Sequence, residues 1–229
     1  METRYNEEYF SGQISKSEEK AEVQYGRLLH YAGIGASTHL RFLDAGCGAG
    51  PALGYLQRLG FSVTGSDLVL YPLLEARKRA PQARLVVANL EHGLPFASNS
   101  FNVVLVSEVV EHLHNPAKLL SDCYQALLPG GCLIVTTPNL WDMRRFLAKA
   151  RGKVWIGYQD PTHINLMTPP QVVRLLQDAG FSKVKWRSGM KPMWSRSIRK
   201  LGWSLNIPYP PVIGGGIAAI AYKGNQQLG

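Results

Sequence analysis

One segment constrains the fold more than any other. Leu43-Asp-Ala-Gly-Cys-Gly-Ala-Gly50 follows a short apolar run at Arg41 to Ala45 and runs into the helical pattern Pro51 to Arg58. Three glycines at alternate positions let the backbone turn tightly and let a ligand approach it. The N-terminus of the next helix adds N–H groups without helical partners. Asp67 closes the next β run, Phe61 to Ser66, near the spacing at which an acidic side chain meets ribose hydroxyls. Asp44, Gly46, Cys47, Gly48, Gly50 and Asp67 are therefore candidate cofactor-binding residues, with Cys47 contributing backbone and packing.

The rest of the pattern agrees. Strand-like runs at Arg84 to Ala88, Phe101 to Ser107 and Cys132 to Thr137 alternate with helical segments at Leu73 to Arg79 and Ala117 to Leu128. Strands apolar on both faces and separated by helices predict a parallel sheet covered on both sides. A helix from about residue 16 to His30 starts at the capping-box pattern Ser15-x-x-Glu18, after an irregular lead-in. A Pro170 to Ala179 helix, a Phe181 to Trp186 strand and a last strand over Gly214 to Tyr222 complete the reading. We expect one domain over 1–229: an N-terminal helix or lid at 1–40, a cofactor core at 41–138, and substrate-side insertions with the last strands at 139–229.

Alternative nucleotide sites do not fit. The third glycine of a GxGxxG would fall on Pro51, no Tyr-x-x-x-Lys pair occurs, and there is no G-K-[ST] of a P-loop. Cys47, Cys123 and Cys132 form no CxxC pair, which argues against a disulfide framework and a cysteine zinc site. Residues 1–25 show no apolar signal region, and the longest apolar stretch, Val212 to Tyr222, is well short of the ~20 residues that span a bilayer. A cytoplasmic protein is the expectation.

Together these segments resemble the class I S-adenosylmethionine methyltransferase family. LDAGCGAG at 43–50, Asp67, ANLEHGLPF at 88–96, FNVVLVSEVVEHL at 101–113 and LLPGGCLIVTTPN at 127–139 carry the resemblance. It implies a Rossmann-like α/β fold with a mostly parallel seven-stranded sheet and helices on both faces. It implies S-adenosylmethionine as cofactor and S-adenosylhomocysteine as product. By position, Gly46 to Gly50 line the methionine part, Asp67 grips the ribose, Leu68 flanks the adenine, Asn89 and Leu90 meet its edge, and Ser107 closes the site. Asn89 stands where many members have Asp, and its carbonyl oxygen can still accept from the adenine amino group.

Glu108-Val-Val-Glu111-His112 follows the most apolar strand, at the sheet edge where open α/β folds place ligands. Two carboxylates and an imidazole could hold a divalent cation such as Mg²⁺ or act as acid and base. His163, in Asp160-Pro-Thr-His-Ile-Asn, could complete the set. The block is similar to that of ubiquinone-pathway O-methyltransferases. It is also similar to that of small-RNA 2′-O-methyltransferases, where it binds a metal with a later histidine. His112 and His163 are the candidate catalytic bases; Glu108, Glu111, His112 and His163 are the candidate metal ligands.

The net charge of +9 is uneven: residues 141–200 carry 13 basic against 3 acidic side chains and four of the five tryptophans, and Trp203 follows. Such a segment could face nucleic acid, a phosphorylated substrate or an acidic lipid surface, or be a solvated basic face. Three functions remain open. The first is O-methylation of a small molecule. The second is methylation of RNA or another polyanion through the Trp-rich segment 141–203, with no recognised RNA-binding module in support. The third is a non-catalytic binding protein that kept the cofactor fold. Oligomeric state is not legible.

Overall fold

A computed structural model describes residues 7–15, 18–36, 40–189 and 212–224. In chain order they form helices α1 (Glu7–Ile14) and α2 (Glu18–Ala32), strand β1 (Arg41–Ala45), α3 (Pro51–Arg58), β2 (Ser62–Asp67), α4 (Leu70–Arg79), β3 (Arg84–Val87) and β4 (Phe101–Ser107). Then follow α5 (Pro116–Ala126), β5 (Leu127–Pro138), α6 (Met143–Ala150), α7 (Pro169–Asp178), β6 (Lys183–Ser188) and β7 (Gly216–Tyr222). The sheet has seven strands in the order β3-β2-β1-β4-β5-β7-β6. β1 to β5 pair in parallel, and β7 runs antiparallel to both β5 and β6. The chain order reverses at β1, between β2 and β4, which is where an open α/β sheet leaves a crevice for a ligand.

Each central strand feeds two cores, because successive side chains point to opposite faces. Phe42, Val103, Leu105, Ile134 and Ile220 pack on one face with Leu28 and Leu29 of α2 and Leu53 and Leu56 of α3. Leu43, Val104, Val106, Leu133, Val135 and Ala219 pack on the other with Leu119 and Leu120 of α5 and Val172 and Leu176 of α7. Leu53 and Leu119 are fully buried; each such side chain stabilises the fold by roughly 1.5–3 kcal/mol over its exposed state. Pro169 and Pro170 open α7 behind Thr168, which forms a capping box with Gln171.

The structure corrects several boundaries. The lead-in read as irregular contains α1. α4 begins at Leu70, not Leu73. α5 ends at Ala126 instead of continuing to Leu128, and Leu127 already pairs with Phe101 of β4. Pro129-Gly-Gly131 lies inside β5, not ahead of it: the pairing slips between Phe101 and Val103, and the excursion is clamped by backbone bonds between Gly130, Gly131 and Lys223. Lys223 also donates from Nζ to the Leu127 carbonyl, a partner 96 residues away that local sequence cannot reveal. The expected helix start at residue 16 and the stretch 190–211, with Trp194, Trp203 and the last four of the basic segment's 13 basic side chains, lie outside the described residues.

Candidate active site

The glycine turn is held from below by the next strand. The Gly46 and Cys47 amides donate to the Ser66 carbonyl, and the Gly48 amide donates to Asp67 Oδ2 at 2.8 Å. Gly46 has φ +83°, and a Cβ there would stand 2.4 Å from Cγ2 of Val109, so only glycine fits. Gly50, at φ +72°, ends the turn as the N-cap of α3, and Pro51 follows where a proline lacks no needed N–H.

Asp67 also accepts from the Val69 amide. Burial pushes its carboxyl up, while the backbone N–H groups of Val69, Gly48 and Leu68 oppose that shift. Beneath the turn, Asp44 is 3% exposed, and burial with the nearby Asp67 pushes it up to about 7. Burial likewise pushes the Cys47 thiol well up, and its Sγ donates to the Gly48 carbonyl. Cys47 is therefore a packing residue without thiolate character.

Gly46, Asp67, Leu68, Asn89 and Leu90 line one cleft together with Glu91, Glu108, Val109, His112 and Leu113. Tyr9 and Phe10 of α1 complete its wall. Asp44, Cys47, Gly48, Gly50 and Ser107 are not among its lining residues. Ser107 hydrogen-bonds Thr136 and Tyr25 of α2. The carbonyl oxygen of Asn89 receives the Glu91 amide, so a turn already engages one acceptor site of the group expected at the adenine edge. Glu91 in turn accepts from the His114 amide and lies 2.9 Å from His114 Nδ1. Burial raises the Glu91 carboxyl, but these His114 contacts outweigh it and hold it below the usual range. Sequence reading did not find Glu91, Val109, Tyr9, Phe10 or Tyr25. The aromatic pair at 9–10 within an acidic stretch was the only local sign of any of them.

The lining fits S-adenosylmethionine. Asp67 offers carboxylate oxygens for a ribose diol, leucines 68 and 90 offer apolar faces for a purine, and Asp67, Glu91 and Glu108 make the cleft acidic, as a sulfonium cation needs.

A second constellation adjoins the cleft at His112. Glu108 has φ +56°, and its Oε1 accepts from the Thr136 hydroxyl. Glu111 lies in the short turn Val110–His112 and is fully buried. One carboxylate oxygen, Oε2, accepts from the Thr137 hydroxyl at 3.0 Å, and Oε1 has no hydrogen-bond partner among the described residues. Burial, then the charge of Glu108, pushes the Glu111 carboxyl well up. Its main-chain oxygen receives the Ile164 and Asn165 amides, which docks the 160–165 loop.

The His112 and His163 rings lie 4.8 Å apart. His112 Nδ1 meets Thr162, and His163 Nδ1 lies 2.8 Å from the Gly157 carbonyl. Burial and His163 push His112 below its usual range. One ligating atom each from Glu111, His112 and His163 lies within 4.8 Å of the others. Of the four candidate ligands the fold thus gathers three, and Glu108 turns to Thr136 instead.

A reversed strand order, a glycine turn braced by a carboxylate and an acidic cleft at the carboxyl ends of the strands define a Rossmann-like fold of the class I methyltransferase type. Residues 17–185 match the family described as a methyltransferase domain, and the chain belongs to that family. It is an enzyme that uses S-adenosylmethionine. It is 34% identical over 177 residues to the ubiquinone biosynthesis O-methyltransferase of Cereibacter sphaeroides, covering 73% of this chain and 71% of that protein. The protein of the same name from Dinoroseobacter shibae is 33% identical over 174 residues, with 71% and 69% covered. A SAM-dependent methyltransferase structure from Archaeoglobus fulgidus superposes with a TM-score of 0.66 at 22% identity, over 94% of this chain and 98% of that one, and shows the shared fold.

Proposed function

We propose that the enzyme transfers the methyl group to a hydroxyl of a small, amphiphilic molecule. The observation that carries this reading is the pairing of His112, in the wall of the cofactor cleft, with Glu111 and His163. The names of the two relatives support the same chemistry. When bound, the sulfonium of S-adenosylmethionine supplies an activated methyl group. A hydroxyl acceptor must lose its proton as it attacks, and this calls for a base or a cation at that place. His112 and His163 are the residues that can take the proton. Glu111, His112 and His163 also fit a divalent cation such as Mg²⁺: a buried carboxylate oxygen lacks a partner among the described residues, and each imidazole is oriented through Nδ1, the kind of support that metal-ligating histidines use. Such an ion, when bound, would lower the pKa of a coordinated hydroxyl.

The acceptor-side surface favours an amphiphile. α6 buries no residue, yet Met143, Phe146, Leu147 and Ala150 form a helical apolar stripe. Phe146 is 61% and Ile156 64% exposed, and Lys149, Arg151 and Lys153, between them in the chain, are exposed too. An apolar stripe flanked by cations suits the surface of an anionic membrane. No described helix is long and apolar enough to cross one.

Transfer of labelled methyl to prenylated phenols, followed with and without EDTA and for His112→Ala, tests the reading. Loss of transfer on chelation, rescue by Mg²⁺ and an inactive variant are expected. Transfer to RNA instead of phenols would overturn it. Co-sedimentation with phosphatidylglycerol vesicles should weaken in Phe146→Ser. Equal binding by both proteins would remove the membrane surface from the proposal.

A further inference from the structure

Thr162 has one hydroxyl proton and two partners for it. Its Oγ1 lies 2.5 Å from Asp160 Oδ1 and 2.8 Å from His112 Nδ1. Asp160 also accepts the Thr162 amide at 2.8 Å. The same Oδ1 therefore faces both the amide and the hydroxyl of Thr162 and serves as the acceptor of both. An ionised carboxylate only accepts hydrogen bonds. The Thr162 proton therefore goes to Asp160, and Oγ1 turns a lone pair to the imidazole. Nδ1 of His112 must then carry a hydrogen. The Thr162 carbonyl, 3.2 Å from the same nitrogen and unable to donate, demands the same.

We propose that Asp160 and Thr162 are positioning residues that lock His112 in the Nδ1–H tautomer, making Nε2 its lone-pair nitrogen. A neutral imidazole has one donor and one acceptor nitrogen, so fixing one fixes the other. The relay joins elements 50 residues apart: Asp160 and Thr162 sit on the loop whose Ile164 and Asn165 amides bind the Glu111 carbonyl. The loop that shapes the acceptor side thereby also sets the chemical form of His112. The value of that lone pair for turnover rests on the O-methylation reading above; the tautomer itself does not.

Long-range ¹H–¹⁵N correlation spectra of the metal-free, ¹⁵N-histidine-labelled full chain at neutral pH report the tautomer directly, with His112 assigned through His112→Gln. A pyrrole-type Nδ1 and a pyridine-type Nε2 are expected, and the reverse or an even mixture would overturn the proposal. In Asp160→Ala the Thr162 hydroxyl can donate to Nδ1, so His112 should become a mixture of tautomers. Turnover should then fall about 10- to 100-fold, the range seen when outer-shell partners are lost, with KM for S-adenosylmethionine unchanged. Thr162→Ser keeps the hydroxyl and should keep both readouts. An Asp160→Ala protein that retains the tautomer and kcat, or a Thr162→Ser protein that loses them, would also overturn it. Failure to find a hydroxyl acceptor leaves the spectra interpretable, so the two readings fail separately.

Discussion

The cofactor side and the acceptor side of this enzyme are held together in different ways. From β1 to the end of β2 the cofactor site is made by backbone: Gly48 and Val69 amides on Asp67, Gly46 and Cys47 amides on the Ser66 carbonyl, all within one strand-turn-helix-strand unit. The proposed acceptor side, from Asn139 to Asn165, is held by side chains that reach far along the chain. Asn139 is fully buried and donates to the Val212 and Gly214 carbonyls, more than 70 residues away. Asp142, also fully buried, caps α6 and binds Arg144 and the Trp155 indole. A few buried polar groups, with the buried Trp155, thus anchor a segment most of whose other large apolar side chains are exposed. The glycine-turn side is thus formed by its own local backbone; the 139–165 segment is a surface tied down at its base.

The contrast can be tested in order of effect. Asp67→Ala removes the carboxylate from both the turn and the ribose site. Calorimetry should show S-adenosylmethionine binding weakened by about 100-fold or more, since charged hydrogen bonds contribute about 1.5–3 kcal/mol each. Binding kept within tenfold would mean that the turn alone makes the site. Asn139→Ala should instead lower stability in urea by roughly 2–3 kcal/mol, while cofactor affinity stays near that of the parent. A large loss of affinity would show that the two sides are coupled.

Asp44 gives a pH-dependent measure of the cofactor side. Its folded pKa of about 7 lies above the ordinary 3.8. The native state therefore keeps a proton that the unfolded chain releases, and stability falls as pH rises from about 4 to about 7. Asp44→Asn removes that dependence. Its advantage in denaturant midpoint should be greater at pH 8 than at pH 5, by on the order of 2 kcal/mol. The smallest effect lies outside both sides: Thr168→Ala removes the cap of α7 and should cost about 1 kcal/mol without changing cofactor affinity.

Much of the cofactor side was legible because its signals are local. The glycine turn, the strand alternation and Asp67, 19 residues beyond Gly48, all lie within the span of one β-α-β unit. Pro129-Gly-Gly131 misled for the same reason: its local chemistry says helix stop, while the clamp from Lys223 keeps it within the sheet. α1 escapes local pattern because it is short and polar, and among its residues with described burial Phe10 alone is buried. Thr162 was passed over although His163 was not, since a threonine beside a histidine has no meaning until Asp160 and His112 stand on either side of it.

The sequence by itself determined the parallel sheet and the place of the glycine turn, since period, turn chemistry and spacing are properties of the chain over a few tens of residues, and its resemblance to a methyltransferase family implied the methyl donor. The tertiary structure alone decided which of the four metal candidates meet, which carboxylate of the E-x-x-E-H block is buried, and which nitrogen of His112 bears the proton. Those outcomes depend on desolvation and on hydrogen bonds between residues about 50 apart, and neither exists before the loop at 160–165 docks on the end of β4.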